Sequence, residues 1–228
     1  MKQFVSRWGC LFIGMSSVAF GIAMTTRAGL GTTPLSSSPY TVTFFTPLTL
    51  GAASIGLNVF FFALLWAVMG KRFQFTRNLL QVPIVLLFGF LIDFFMWALA
   101  AVPPGPYAAK IAQNLLGNAF LALGVVFQGA SCAVTLPGDG FVIEASKRFG
   151  ISLGRMKAIF DWSLVAIACV LGLIFLGRIE GVREGTVISA LTTGIFVRLW
   201  AKCPVFSKLV KFNRLKKMRT IIFKYHGK

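Results

Sequence analysis

Long apolar runs alternate with short polar stretches along the whole chain, at Trp8–Thr26, Ala52–Met69, Leu79–Ala101, Ile111–Ala130, Ala158–Leu176 and Thr186–Trp200. At ~1.5 Å rise per residue most of these runs reach ~27–35 Å as helices, enough to cross a ~30 Å hydrocarbon core. The sixth is short and is expected to extend through Cys203, with Arg198 snorkelling to the interface. The pattern predicts an all-α integral membrane protein of six transmembrane helices, in a single domain over residues 1–201 followed by a basic tail over 202–228. Met1 to Thr26 resembles a signal peptide in its basic start and apolar run. That run is long enough to span, and no clear A-x-A site follows it, so it reads as the first helix.

The pattern also repeats. Gly14 pairs with Gly117, Gly21 with Gly124, Pro34 with Pro137, Gly51 with Gly154 and Asn58 with Asp161; after a four-residue slip Gly70 pairs with Gly177. Each copy, about 8–101 and 111–201, holds three apolar runs. Three is odd, so a direct repeat in sequence places its second copy upside down in a bilayer. Inverted repeats of this kind recur in small-solute transporters, with the site where the halves meet.

Hydrophobic residues make up 57% of the chain and charged residues 13%, half the charged share of a soluble domain. The net charge of +17 would suggest nucleic acid, but its placement explains it otherwise. With the N-terminus inside, the cytoplasmic set is Lys2, Arg7, Lys71, Arg72, Arg77, Lys147, Arg148, Arg155, Lys157, Arg198 and nine residues of the tail. Only Arg27, Lys110, Arg178 and Arg183 fall outside, so the positive-inside rule predicts an N-in, C-in multi-pass protein of an inner (cytoplasmic) membrane with no nucleic-acid partner. The tail, Lys202 to Lys228, carries no acid and interleaves its cations with Phe206, Leu209, Phe212, Leu215 and Ile221. It reads as a positive-inside anchor or as an amphipathic helix on anionic lipid.

Chemistry is sparse. The cysteines Cys10, Cys132, Cys169 and Cys203 are scattered, and the one histidine, His226, lies in the tail, so no metal site, cofactor or enzymatic activity is expected. Neither HExxH, GxSxG nor GxxxxGK[ST] occurs, so any pumping is secondary.

Two interruptions stand out. Arg27 to Gly51 is rich in small and hydroxyl residues, broken by Gly29, Gly31 and Pro34, and carries a single charge. A broken or re-entrant segment after the first helix fits, because irregular backbone at membrane depth is tolerated where it lines a protein or water cavity. Thr32 and Thr33, with Ser36 to Ser38, are candidate ligand contacts at a short helix starting near Pro34. The counterpart after the fourth helix breaks at Pro137, Gly138 and Gly140, with Asp139 placed to cap a helix ending at Phe149 and Gly150 as its C-cap. Asp139 and Glu144 are its candidate substrate contacts. If the breaks meet, the site has hydroxyls on one side and carboxylates on the other; the alternative for the second is a polar loop with an interfacial helix. Asp93 and Asp161 lie inside apolar spans, where charges are costly and usually functional or paired. Asp93 is a candidate for proton or cation coupling, or a structural hydrogen-bonded acid. Asp161 is a second coupling candidate or, one turn from Lys157, simply its ion-pair partner, and Asn58, at the equivalent place in the first copy, joins the coupling candidates.

The run GDGFVIEASKRFGISLGRMKAIFDW, Gly138 to Trp162, resembles the YitT/YczE family of bacterial membrane proteins, and Ala28-Gly-Leu-Gly-Thr-Thr-Pro is similar to the amino-terminal motif of its YczE-like branch. The soluble C-terminal domain of the longer YitT-like members has no counterpart in this sequence. The resemblance marks Gly29, Gly31, Pro34, Gly138, Asp139, Gly140, Gly150, Gly154 and Asp161, and implies no particular substrate. The expected function is a secondary permease or exporter of a small solute, with homodimerisation favoured by the narrow bundle. The alternative is a non-transporting accessory or scaffold protein that docks a partner through the tail.

Overall fold

The computed structural model of the chain describes residues 2–70, 79–101, 105–131, 133–205 and 209. The cations Lys71, Arg72 and Arg77, Cys132 and all of the tail beyond residue 205 except Leu209 lie outside the described residues. The described residues form eight helices and no strands: α1 Lys2–Arg27, α2 Pro34–Val42, α3 Leu50–Met69, α4 Gln81–Ala98, α5 Tyr107–Ser131, α6 Pro137–Phe149, α7 Leu153–Leu176 and α8 Glu184–Ala201.

Five of these, α1, α3, α4, α5 and α7, are long and apolar enough to cross a membrane. The sixth run forms α8, 18 residues long, whose Glu184 and Arg198, together with Thr186, Ser189, Thr192 and Thr193, leave it less apolar than the spans of the other five. Helix ends differ from the apolar runs because helix continues into polar turns that hydropathy cannot register. Thus α5 starts at Tyr107, ahead of Lys110, and α7 at Leu153, ahead of Arg155 and Lys157.

Helices α1 and α5 cross at bare backbone. A Cβ on Gly14 would lie 2.9 Å from the Gly124 carbonyl oxygen, and one on Gly124 would lie 2.5 Å from that of Gly14. Likewise a Cβ on Gly21 would meet the Gly117 oxygen at 2.5 Å, and one on Gly117 the Gly21 oxygen at 2.9 Å. Such small-residue crossings let membrane helices gain dispersion and carbonyl contacts that large side chains would forbid. Around this crossing α4 lies along α1 and α8 along α5, while α2 lies on α7 and α6 on α3. Helices α3 and α4 also pack on each other, at Gly51 and Gly89.

The main core cluster joins Leu11, Met15, Val18 and Ile22 of α1 to Ile84, Val85, Phe88 and Ile92 of α4. A second joins Phe61 of α3, Val142 and Ala145 of α6, and Met156, Phe160 and Leu164 of α7. Three arginines tie helix ends together by donating to terminal carbonyls: Arg7 to Ser131, Arg27 to Met96 and Arg148 to Val68.

Candidate functional site

Both interruptions end in helices that begin with proline. Pro34 opens α2 and Pro137 opens α6, positions where the missing N–H costs nothing and the fixed φ suits the helix. Ahead of α2 the chain turns back through Gly31, whose φ of +98° and whose distance to Thr186 (a Cβ would sit 2.5 Å from its Oγ1) exclude any side chain.

The loop and α2 are buried although rich in hydroxyls. Thr32 shares a 2.8 Å hydrogen bond with Thr26, and its N–H donates to Thr186 Oγ1 at 3.2 Å. Thr33 donates to Ser36, Ser37 to the Pro34 carbonyl, and Ser38 to the Leu164 carbonyl of α7 at 2.8 Å. Most of the hydroxyl protons here are therefore spent on protein acceptors, which is how a polar segment survives burial. Gly29 is exposed at the rim.

The second interruption is more open. Gly138 and Gly140 are buried in the first turn of α6, Gly138 against the Phe61 ring. Asp139, the expected cap, lies in the first turn of the helix instead; the N-cap position is Leu136, three residues earlier, and the carboxylate reaches Lys157 of α7 at 3.5 Å. Lys157 also pairs with Asp161 at 3.1 Å, and its ammonium lies 5.2 Å from the centre of the Phe160 ring. All three charged side chains are half-exposed, and together they carry one net negative charge. Glu144 is apart from them, paired with Lys147 at 2.7 Å. Gly150 ends α6 with φ +66°, the left-handed conformation expected of a glycine C-cap.

The hydroxyls and the carboxylates share no hydrogen-bond partner among the described residues. Between them lies the second apolar cluster, into which Leu35 of α2 and Phe141 of α6 both pack, with Phe61 and Phe160 4.9 Å apart at its centre. Asp93 stands elsewhere again. Its two carboxylate oxygens accept from the Gly51 N–H and the Thr49 hydroxyl, each at 2.7 Å, and so cap the start of α3. Asn58 donates to the Ser54 carbonyl and faces a small apolar cavity of about 110 Å³.

Sequence reasoning missed a polar ladder between α5 and α8. Asn114, Asn118, Thr186 and Ser189 are fully or almost fully buried. Asn118 donates to Asn114 and to Ser189, both at 3.0 Å. The available signal was an Asn-x-x-x-Asn spacing inside an apolar run, which puts two amides on one helix face.

Long apolar helices and a buried polar interior define a multi-pass membrane protein. Residues 5–202 match the family of unknown function DUF6198, and the chain belongs to that family. It is also similar to the uncharacterised membrane protein YczE of Bacillus subtilis, 25% identical over 203 residues, covering 87% of each chain. No solved structure matches.

Proposed function

We propose that this chain is a secondary permease or exporter of a small solute, built from two inverted three-span halves, with α8 as the sixth span and both termini in the cytoplasm. The observation that carries the reading is reciprocity. Gly14 and Gly21 correspond by sequence to Gly117 and Gly124, and Gly14 meets Gly124 while Gly21 meets Gly117. A two-fold relation requires such crossed pairing. It recurs where Ser38 bonds Leu164, since their counterparts Phe141 and Phe61 stack at 6.2 Å. Helix starts agree, with Pro34 and Pro137, Leu50 and Leu153, and Gln81 and Glu184 each 103 residues apart. Each short helix thereby lies on the opposite half, the arrangement by which discontinuous helices bring a transport site to the interface of repeats.

Within this reading the Asp139–Lys157–Asp161 cluster receives the solute from the cytoplasmic side. The buried hydroxyls from Thr32 to Ser38 line the route on the external side, and the Phe61–Phe160 layer separates the two. Asp161 is the better coupling group, because both oxygens of Asp93 are already occupied by α3. Purified protein screened by thermal shift against small anions, amino acids and organic cations, beside Asp139→Asn and Asp161→Asn, tests this. A ligand-dependent rise abolished by either substitution, with matching flux into proteoliposomes, is expected. No shift and no flux across the panel would sink the permease and favour the scaffold that works through its basic tail.

A further inference from the structure

The two halves correspond in most packing relations, and the largest exception is informative. Helices α3 and α4 are pressed together so closely that a Cβ on Gly51 would collide with the Gly89 carbonyl oxygen, and a Cβ on Gly89 would lie 2.9 Å from that of Gly51. Helices α7 and α8, their counterparts, make no comparable interface among the described residues. Gly154, which corresponds to Gly51, and Gly194 on α8 both have nothing within 4 Å of where a Cβ would stand. The caps differ in the same sense. Thr49, the N-cap of α3, is held by Asp93 of α4; Ser152, 103 residues later and the N-cap of α7, makes no side-chain cap bond.

Resting on the reading of two inverted halves, we infer that the protein has a second state in which α7 closes on α8 while α3 parts from α4, and that Asp93 is the latch of the first state. Identical folds related by an in-plane axis exchange conformations when one seam opens and the other closes, which is how alternating access arises from repeats. In the state described, the seam at the external end of α3 is shut and the one at the cytoplasmic end of α7 is apart. The latch is one-sided. In the 103-residue register of the helix starts Gln81 and Glu184 the counterpart of Asp93 is Phe196, and in the slipped register of Gly70 and Gly177 it is Trp200; either way the second state lacks an equivalent carboxylate and is the less populated of the two.

Disulfide trapping tests this in membranes. In a background with Cys10, Cys132, Cys169 and Cys203 replaced by alanine, Gly154→Cys is paired in turn with Thr192→Cys and Gly194→Cys, with single-cysteine controls to identify dimers. Disulfides need Cβ atoms about 4 Å apart, so trapping at either pair reports only the second state. We expect slow intramolecular cross-linking in the parent and a rate about tenfold higher with Asp93→Ala, as removal of charge-assisted hydrogen bonds from one state implies. Thr49→Ala, which removes only the hydroxyl, is expected to give a smaller rise and stands in if Asp93→Ala does not run as a single species. No cross-link at either pair in monodisperse parent and latch variants, or rates indifferent to the latch, would overturn the inference. Cross-linking that follows the latch without any solute flux would uphold the second state and remove the permease reading.

Discussion

Two helix seams solve the same packing problem with opposite chemistry. Along α1 and α4 the facing residues are Leu11, Met15, Ile84, Val85 and Phe88, wholly apolar, beside a cleft of about 370 Å³ lined by Trp8, Leu11, Met15 and Ile84. Along α5 and α8 the facing residues are Asn114, Asn118, Ser189 and Thr193. In the proposed reading of two related halves the positions are equivalent, because Leu11 and Met15 lie 103 residues before Asn114 and Asn118. In lipid an apolar seam has no hydrophobic drive of its own and holds only by fit, whereas hydrogen bonds draw helices together. The loose seam is thus the apolar one and the closed seam is the polar one. Beside that seam, Thr186 of α8 ties down the Gly31–Thr33 turn, so α8 positions the interruption that follows α1.

The largest effect is expected where both seams hang from one crossing. Gly21→Ile would drive its side chain into the Gly117 carbonyl and the Leu121 backbone, none of which is the free end of a flexible group. We expect a loss beyond about 4 kcal/mol, the exceptional end of point-mutant effects, read as failure to yield a single species on gel filtration. Gly9→Ala, on the same helix with open space around it, should behave as wild type. Next comes the apolar seam. Phe88→Ala leaves a cavity of about 100 Å³; the transfer part of the usual penalty is muted in lipid, so the cavity part, about 2 kcal/mol, remains. A loss of that size in detergent unfolding would support packing by fit, and no loss would show the cleft collapsing to fill it.

The long apolar helices and the two interruptions were legible because they depend on local composition and on residues, Gly and Pro, whose backbone needs are visible in sequence. The grouping of side chains was not. Asp139 reads as a cap by its place near a helix start, yet Lys157, 18 residues away, takes its carboxylate. Asp93 reads as a lone buried charge because its partners, Thr49 and the Gly51 N–H, belong to another span. Asn114 and Asn118 escaped notice for the reverse reason: uncharged amides barely dent an apolar run, although burial makes their hydrogen bonds decisive. Partners brought together by tertiary packing leave no periodic trace.

The polar seam can be made to resemble the apolar one. Asn118→Ala removes two hydrogen bonds and strands Asn114, at an expected cost of about 1–2 kcal/mol given ~0.6 kcal/mol per membrane hydrogen bond plus the orphaned amide. Asn114→Leu with Asn118→Met copies the residues of α1 and removes both amides together, while Ser189 keeps its 2.7 Å bond to the Gly185 carbonyl. This double variant should cost less than the single one, since an orphaned polar group is worse than an absent pair. A double variant that is the less stable of the two would mean that the amides do more than glue α8 to α5.

The smallest effect is expected at the end of the same ladder. The Thr193 hydroxyl lies 2.6 Å from the Ser189 carbonyl of its own helix and 3.5 Å from Asn118 Oδ1 across the seam. One proton serves both, and the short intrahelical bond commands it, so Thr193→Val removes little that joins the helices while keeping shape and χ1 preference. A change of only a few tenths of a kcal/mol in unfolding is expected, near the lower end of membrane hydrogen-bond energies. A loss above about 1 kcal/mol would place the proton on Asn118 instead. The ladder would then run as one connected chain from Asn114 to Thr193, and the contrast between the seams would be sharper than the distances alone imply.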